Sequence, residues 1–231
     1  MAGAAVSGRL KWLTATVTGV REATPGVRTI TLDVPGWEGH RAGQSVDVRL
    51  TAPDGYRTQR PYSIASAPGD DAFELCVEHL DAGEVSPWLA GELREGDQFE
   101  LRGPGGRSFS WHADEGGPLL LVGGGAGIVP LRAMVRHAQA AGRTDVSVVL
   151  SARTRASLLF ADEVATWPKT SITYTREGGK RLDAATLAAA GPARHVFVCG
   201  PTAFVEHATS LLLEVGHDAA HVRAERFGGA S

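Results

Sequence analysis

A glycine-rich segment of this 231-residue chain most constrains how the chain can fold. The apolar run Leu119–Val122 leads into Gly123–Pro130, after which apolar residues recur at helical spacing, at Leu131, Met134, Val135 and Ala138. Proline is tolerated in the first turn of a helix, because the N–H that it lacks has no partner there. The pattern therefore predicts strand, glycine turn and helix, with free N–H groups at the helix start that can bind an anion.

The hydrophobic pattern divides the chain at a linker, Ala113–Pro118. Before it, apolar residues alternate with period two in short runs such as Ile30–Val34 and Val46–Leu50, which predicts an antiparallel barrel, or a sandwich as the alternative. After it, apolar strands alternate with helices, which predicts a doubly wound parallel sheet. We place the two domains at residues 8–112 and 116–231.

Composition excludes several classes of function. The net charge of −3 and the lack of like-charge runs argue against a nucleic-acid partner. The two cysteines, Cys76 and Cys199, cannot supply the four thiolates of an iron–sulfur cluster or an all-cysteine zinc site. No stretch approaches the length of a membrane span and residues 1–9 have no apolar leader segment, so we expect a cytoplasmic protein with no membrane partner.

Cationic residues follow the second and third strands of the predicted parallel sheet. The glycine turn lacks the dinucleotide spacing G-x-G-x-x-G, and the acid that usually holds a ribose hydroxyl after the second strand is missing. Ser151, Arg153 and Arg155 stand there instead, and Arg176 follows the next strand. Guanidinium groups match a phosphate, so a bound nicotinamide cofactor would be NADPH rather than NADH. The alternative is that these arginines are ordinary solvated loop charges.

Two motifs in the barrel half also suit a phosphorylated ring compound. Alternation places Arg60 and Tyr62 of Arg60–Ser63 on one face, where a cation, an aromatic ring and a hydroxyl come together. Ser86 and Pro87 predict the start of a short helix over Ser86–Leu93, with Ser86 as its N-cap. A strand with an ordinary tyrosine and a helix that only plugs the barrel are the alternatives.

The ordered set of motifs resembles the ferredoxin–NADP reductase family of flavoproteins from about residue 10 to residue 228. The five motifs that carry the resemblance occur in the family's order: Arg60–Ser63, Gly83–Ser86, Gly123–Pro130, Cys199–Pro201 and Glu225–Gly228. The resemblance implies a six-stranded antiparallel flavin-binding barrel followed by an α/β doubly wound nicotinamide domain.

The resemblance also implies roles on the flavin side. Tyr62 would stack on the isoalloxazine ring, Ser63 would lie near flavin N5, and Arg60 would neutralise phosphate. Other residues are implied as flavin contacts: Pro61, Gly83, Val85, Ser86 and, at the C-terminus, Glu225 and Phe227. The strand before Gly83 carries Glu78 and His79 where the family usually has a basic residue, which puts one phosphate contact in doubt.

On the nicotinamide side, Cys199 would sit beside the nicotinamide ring as a positioning residue. The implied nucleotide contacts are Gly124, Gly125, Gly127, Ile128, Ser151, Arg153, Arg155, Arg176, Gly200 and Pro201. Ser63, Cys199 and Glu225 are the residues implied at the reacting atoms.

The resulting hypothesis is an FAD-dependent NAD(P)H oxidoreductase that prefers NADPH and passes electrons singly to a separate redox protein. FAD is preferred over FMN on the resemblance alone. A free-flavin or quinone reductase is the alternative enzyme, and a non-catalytic flavin- or nucleotide-binding subunit of a larger complex is the alternative from another class.

Overall fold

The computed structural model describes residues 10–179 and 181–228. Strands β1–β6 form one antiparallel sheet in the spatial order β4-β3-β6-β1-β2-β5, and an Ile64–Leu75 bridge brings its two outer strands together. The expected six antiparallel strands are confirmed. Their bounds are Leu13–Thr24 (β1), Val27–Asp33 (β2), Ser45–Thr51 (β3), Arg57–Ser63 (β4), Phe73–Glu78 (β5) and Gln98–Gly105 (β6).

The interior of this sheet follows from the period-two pattern. Ala15 and Val17 of β1, Val48 of β3 and Leu101 of β6 are each at most 1% exposed and belong to one apolar core. A short helical segment, Trp88–Glu92, contributes the fully buried Leu89 to the same core. Alternation therefore built one buried face in these three strands.

The second half is a five-stranded parallel sheet with helices, as expected. The spatial order is β11-β10-β7-β8-β9, so β7 has β8 on one side and β10 on the other. The strands are Leu119–Gly124 (β7), Val146–Ala152 (β8), Thr170–Tyr174 (β9), His195–Pro201 (β10) and Val222–Phe227 (β11), and the helices are Ile128–Ala140 (α1), Ala161–Val164 (α2), Ala184–Ala189 (α3) and Thr202–Glu214 (α4).

The two halves share a continuous apolar contact. Phe109, just after β6, packs edge-on against Phe197 of β10 with ring centroids 5.2 Å apart. Trp111 is fully buried in the same cluster as helix α1. Gly43 has a φ of +92°, and a side chain there would come within 2.6 Å of the Phe109 carbonyl oxygen and would also meet Met134 of α1, so glycine is required at this contact.

One helix start differs from the sequence prediction. Ser86 does not cap its helix: its hydroxyl accepts the Leu80 N–H at 3.3 Å, and the N-cap is Pro87. The domain limits 8–112 and 116–231 stay a prediction, and residues 8, 9 and 229–231 lie outside the described range.

Candidate active site between the two halves

A cleft of about 510 Å³ opens at the carboxyl edge of the parallel sheet and reaches the barrel. Ligands bind at such edges where the strand order reverses, because the connections after two neighbouring strands there lead in opposite directions. In this sheet the reversal lies between β7 and β10. The barrel contributes four lining residues: Thr24, Pro25, Val27 and Glu78. The predicted site residues that line the cleft are Gly124, Gly125, Ser151, Arg153, Pro201 and Phe227.

The glycine turn meets the cleft through only part of its length. Gly124, Gly125 and Ala126 line the cleft, and a side chain at Gly124 would come within 2.6 Å of the Phe204 ring. Gly127 and Ile128 are buried instead, and a side chain at Gly127 would collide with the Cys199 carbonyl. Glycine at 127 is therefore required by packing between α1 and β10.

Cys199 and Glu225 form a buried pair behind the cleft. They are register partners on β10 and β11, and Cys199 is 1% exposed. Burial raises the Cys199 pKa above its ordinary value, and the Glu225 charge raises it further. Burial also raises the pKa of Glu225, whose Oε2 has no hydrogen-bond partner among the described residues. The thiol is thus the favoured form of Cys199, and burial shifts Glu225 toward its protonated form.

The two cysteines are both free and buried. Cys76 lies in the barrel strand β5, and burial raises its pKa to about 12. Neither sulfur forms a disulfide, and Cys199 does not line the cleft.

Three arginines lie in the segments that follow β8 and β9, and one of them, Arg153, lines the cleft. The Arg176 N–H donates to the Arg153 carbonyl at 2.8 Å, which joins the loops after β9 and β8. The Arg155 guanidinium lies 4.7 Å from the Tyr174 ring centre and 3.5 Å from Glu177. The side chains of Arg153 and Arg176 are exposed and make no ion pair within the described part of the chain.

Arg60 belongs to a separate group on the barrel surface and does not line the cleft. Its Nη2 lies 2.7 Å from a Glu84 oxygen, and Glu84 also accepts hydrogen bonds from Tyr56 at 2.9 Å and Thr58 at 3.0 Å. These contacts lower the Glu84 pKa, chiefly through the Tyr56 hydrogen bond. The cation expected to meet a flavin phosphate is therefore already paired.

The other members of the barrel motif keep surfaces for a ligand. Tyr62 is half-buried, and burial raises its pKa to about 12. The Ser63 hydroxyl makes no hydrogen bond to any described residue, and Pro61 is exposed. Because β4 ends at Ser63, the hydroxyl stands at the strand end next to the fully buried Ile64.

The loop Gly83–Ser86 approaches its own backbone closely. A side chain at Gly83 would come within 2.5 Å of the Ser86 hydroxyl and 3.1 Å of the Leu80 carbonyl. Val85 is 1% exposed, so only its backbone can meet a ligand. The close backbone approach at Gly83, the unpaired Ser63 hydroxyl and the unpartnered Glu225 oxygen fit a flavin and a nicotinamide nucleotide.

Sequence reasoning missed three carboxylates that shape these sites. Glu84 lies inside the predicted phosphate motif, and Glu177 directly follows Arg176, so both had visible neighbours. Glu74 and its partner Arg132 have no such signal, because 58 residues separate them along the chain. Glu78, which the sequence analysis had already named, is among the residues that line the cleft.

Comparison with known proteins places both halves. An oxidoreductase FAD-binding domain matches residues 14–110, and an oxidoreductase NAD-binding domain matches residues 121–210. The chain is 32% identical over 233 residues to ferredoxin–NADP reductase B of Sorangium cellulosum, covering 90% of this chain and 94% of that protein. The chain belongs to the ferredoxin–NADP reductase-like family of flavoprotein oxidoreductases, as its ordered motifs predicted.

Two further similarities indicate the setting in which such chains occur. The chain is 30% identical to the ferredoxin reductase component of 3-ketosteroid-9-alpha-monooxygenase from Rhodococcus rhodochrous, covering 94% of this chain but just under two thirds, 65%, of that protein. It superimposes on a cytochrome P450 reductase from Amycolatopsis with a TM-score of 0.80 at 27% identity, covering 98% of this chain and 73% of the other. Among the described residues, no helix has the length and apolar character needed to cross a membrane.

Proposed function

We propose that this chain binds FAD on its barrel, takes hydride from NADPH in the cleft, and passes electrons one at a time to a separate redox protein. The observation that carries the proposal is the cleft itself, which is lined by the glycine turn of the parallel sheet and by the barrel, with Cys199 and Glu225 behind it. Membership in the flavoprotein family supports the two cofactors.

The chain's own residues bind and align in this proposal. Bound FAD would supply the chemistry, since a flavin accepts a hydride and gives up electrons singly. Tyr62 and Phe227 offer aromatic faces for the ring, Ser63 offers a hydroxyl at the ring edge, and Gly124 and Gly125 offer backbone N–H groups to phosphates. The Cys199 thiol excludes water beside the nicotinamide.

NADPH preference rests on the charge at the outer end of the cleft. Three guanidinium groups from Arg153, Arg155 and Arg176 stand against one carboxylate, Glu177, which leaves an excess of positive charge for a 2′-phosphate. Because Glu177 engages Arg155, we assign the phosphate to the two arginines without ion-pair partners.

The acceptor is proposed from the relatives. The R. rhodochrous relative is the ferredoxin reductase component of a monooxygenase, and the Amycolatopsis relative is a cytochrome P450 reductase. We infer a small electron-transfer protein or an oxygenase component as the acceptor for this chain. Cytoplasmic location stays a prediction from the sequence.

An anaerobic titration with both nucleotides tests the proposal. Flavin-loaded protein should lose its absorbance near 450 nm on addition of NADPH, and NADH should require a concentration at least about tenfold higher. Absence of bleaching by either nucleotide would favour the non-catalytic subunit. Flavin lost on gel filtration together with bleaching of added free flavin would favour the free-flavin reductase.

A further inference from the structure

A buried arginine outside both predicted sites joins the two halves of the molecule. Arg132 lies on α1, five residues after Gly127, and only 3% of it is exposed. A buried guanidinium is costly unless hydrogen bonds and opposite charges satisfy it. The residues around Arg132 must therefore supply hydrogen-bond acceptors and negative charge.

Four hydrogen bonds hold the Arg132 guanidinium. Nη1 donates to the Ala65 carbonyl at 2.9 Å and to Glu74 at 2.7 Å, both in the barrel half. Nε and Nη2 donate to the two oxygens of Glu163 at 2.8 Å and 2.6 Å, in the α/β half. The Phe160 ring centre lies 4.5 Å from the guanidinium carbon. The side chain is thus fixed in one orientation.

The bond to Ala65 reaches the proposed flavin edge. Ala65 lies two residues after Ser63, and its own N–H donates to the Glu74 carbonyl at 2.8 Å. Arg132 therefore binds both the segment that follows the Arg60–Ser63 motif and the strand β5 beside it. Arg132 lies near the N-terminus of α1, which starts at Ile128, directly after the glycine turn that lines the cleft.

We propose that Arg132 is a positioning residue that sets the distance between Ser63 at the flavin edge and the glycine turn that holds the nicotinamide nucleotide. The inference rests on the proposed function, since it assumes that the two surfaces hold the reacting cofactors. Hydride transfer depends steeply on the separation and angle of the reacting atoms, and a displacement of about 1 Å can lower a rate by about 100-fold.

The apolar contact between the halves does not replace this arginine. Phe109 packs on Phe197, and Met134 reaches Gly43, so the halves stay joined without Arg132. None of these contacts touches the segment Ser63–Ala65 through a directional bond. Loss of the arginine should therefore change alignment more than association.

The test uses Arg132→Lys, which keeps the buried charge but loses the planar fork. The expected result is a hydride-transfer rate, measured by anaerobic stopped flow, that falls at least about tenfold, while the Kd for NADPH changes less than about twofold. Glu74→Gln should lower the rate in the same direction by about threefold and guards against failure of the first variant to fold. Arg143→Lys is the matched control, because its guanidinium also donates to a carboxylate and to backbone carbonyls, those of Asp145, Ala113 and Gly117, away from the segment after Ser63.

Amide hydrogen exchange provides a readout that needs no cofactor. Peptides covering residues 60–67 should exchange faster in Arg132→Lys than in the wild type, while Arg143→Lys should leave them unchanged. Unchanged hydride-transfer rates in Arg132→Lys and Glu74→Gln, or an equal loss of rate in Arg143→Lys, would overturn the inference. If NADPH does not bleach the flavin bound to the wild-type protein, the proposed function is refuted, whatever the hydrogen-exchange data show.

Discussion

The arginines proposed to bind phosphate are paired on the barrel and unpaired, among the described residues, at the edge of the parallel sheet. Arg60 on the barrel is held by Glu84, which Tyr56 and Thr58 hold in turn. Arg153 and Arg176 at the sheet edge have no ion-pair partner in the described part of the chain. A phosphate must compete with a carboxylate on the barrel but not at the sheet. Electrostatic attraction should therefore contribute more to nucleotide binding than to flavin binding.

The largest effect is expected from removing Arg153 and Arg176, the two arginines that have no ion-pair partner among the described residues. Arg153→Ala with Arg176→Ala should weaken NADPH binding about 100-fold, because each charge-assisted hydrogen bond contributes about 1.5–3 kcal/mol. Isothermal titration with NADH provides the control and should change less than about threefold. Arg155→Ala alone should have a much smaller effect, since Glu177 already holds that side chain. Equal losses for NADPH and NADH would refute the phosphate assignment.

On the barrel, the aromatic ring should matter more than the paired arginine. Tyr62→Ala should weaken FAD binding about 10-fold or more, because an aromatic pair contributes about 1 kcal/mol beyond the area it buries. Tyr62→Phe keeps the ring and should stay within about twofold of the wild type by fluorescence titration. A loss in Tyr62→Phe as large as in Tyr62→Ala would show that the hydroxyl, and not stacking, binds the flavin.

The paired state of Arg60 can be reversed with one substitution. Glu84→Gln removes the competing charge but keeps the shape, so FAD should bind a few-fold more tightly and with a steeper dependence on salt. Fluorescence titration at two salt concentrations measures both. Weaker binding in this variant would mean that Glu84 orients Arg60 toward the phosphate, and the contrast between the two halves would then fail.

The smallest effect concerns the buried carboxyl behind the cleft. Burial raises the Glu225 pKa in the folded state, so between the unfolded and folded pKa values the folded chain holds more protons than the unfolded chain. Its contribution to the free energy of unfolding should thus decrease as pH rises through this window. Glu225→Gln should flatten this part of the curve, measured by urea unfolding over a series of pH values upward from the ordinary carboxyl pKa. A steeper curve in the variant would contradict the sign.

Much of the fold could be predicted because local patterns matched their tertiary setting. The period-two runs became strands with one buried face, and Leu119–Val122 became a strand buried on both faces. The position of Pro130 near the start of α1 was also correct. Helix caps were harder, because Ser86 found a partner in the Leu80 N–H, which lies six residues away and outside its own helix.

In the candidate site, too, some features could be predicted from the sequence and others could not. The order of motifs along the chain determined the family, and the missing acid after β8 indicated positive charge at the outer end of the cleft. Which arginine is paired was decided by folding, since Glu84 meets Arg60 across 24 residues and Glu177 meets Arg155 across 22. Residue types can be read locally, but these partners depend on which loops the strand order brings together.

The sequence alone therefore determined two cofactor-binding halves and the glycine turn that begins the second. Only the tertiary structure showed that Gly127 serves packing against Cys199 and that Arg132 connects the two halves. The physical reason is the distance along the chain over which each interaction acts. Periodicity and turn chemistry act within a few residues, whereas a buried charge is satisfied by whichever carboxylates and carbonyls the fold brings near it.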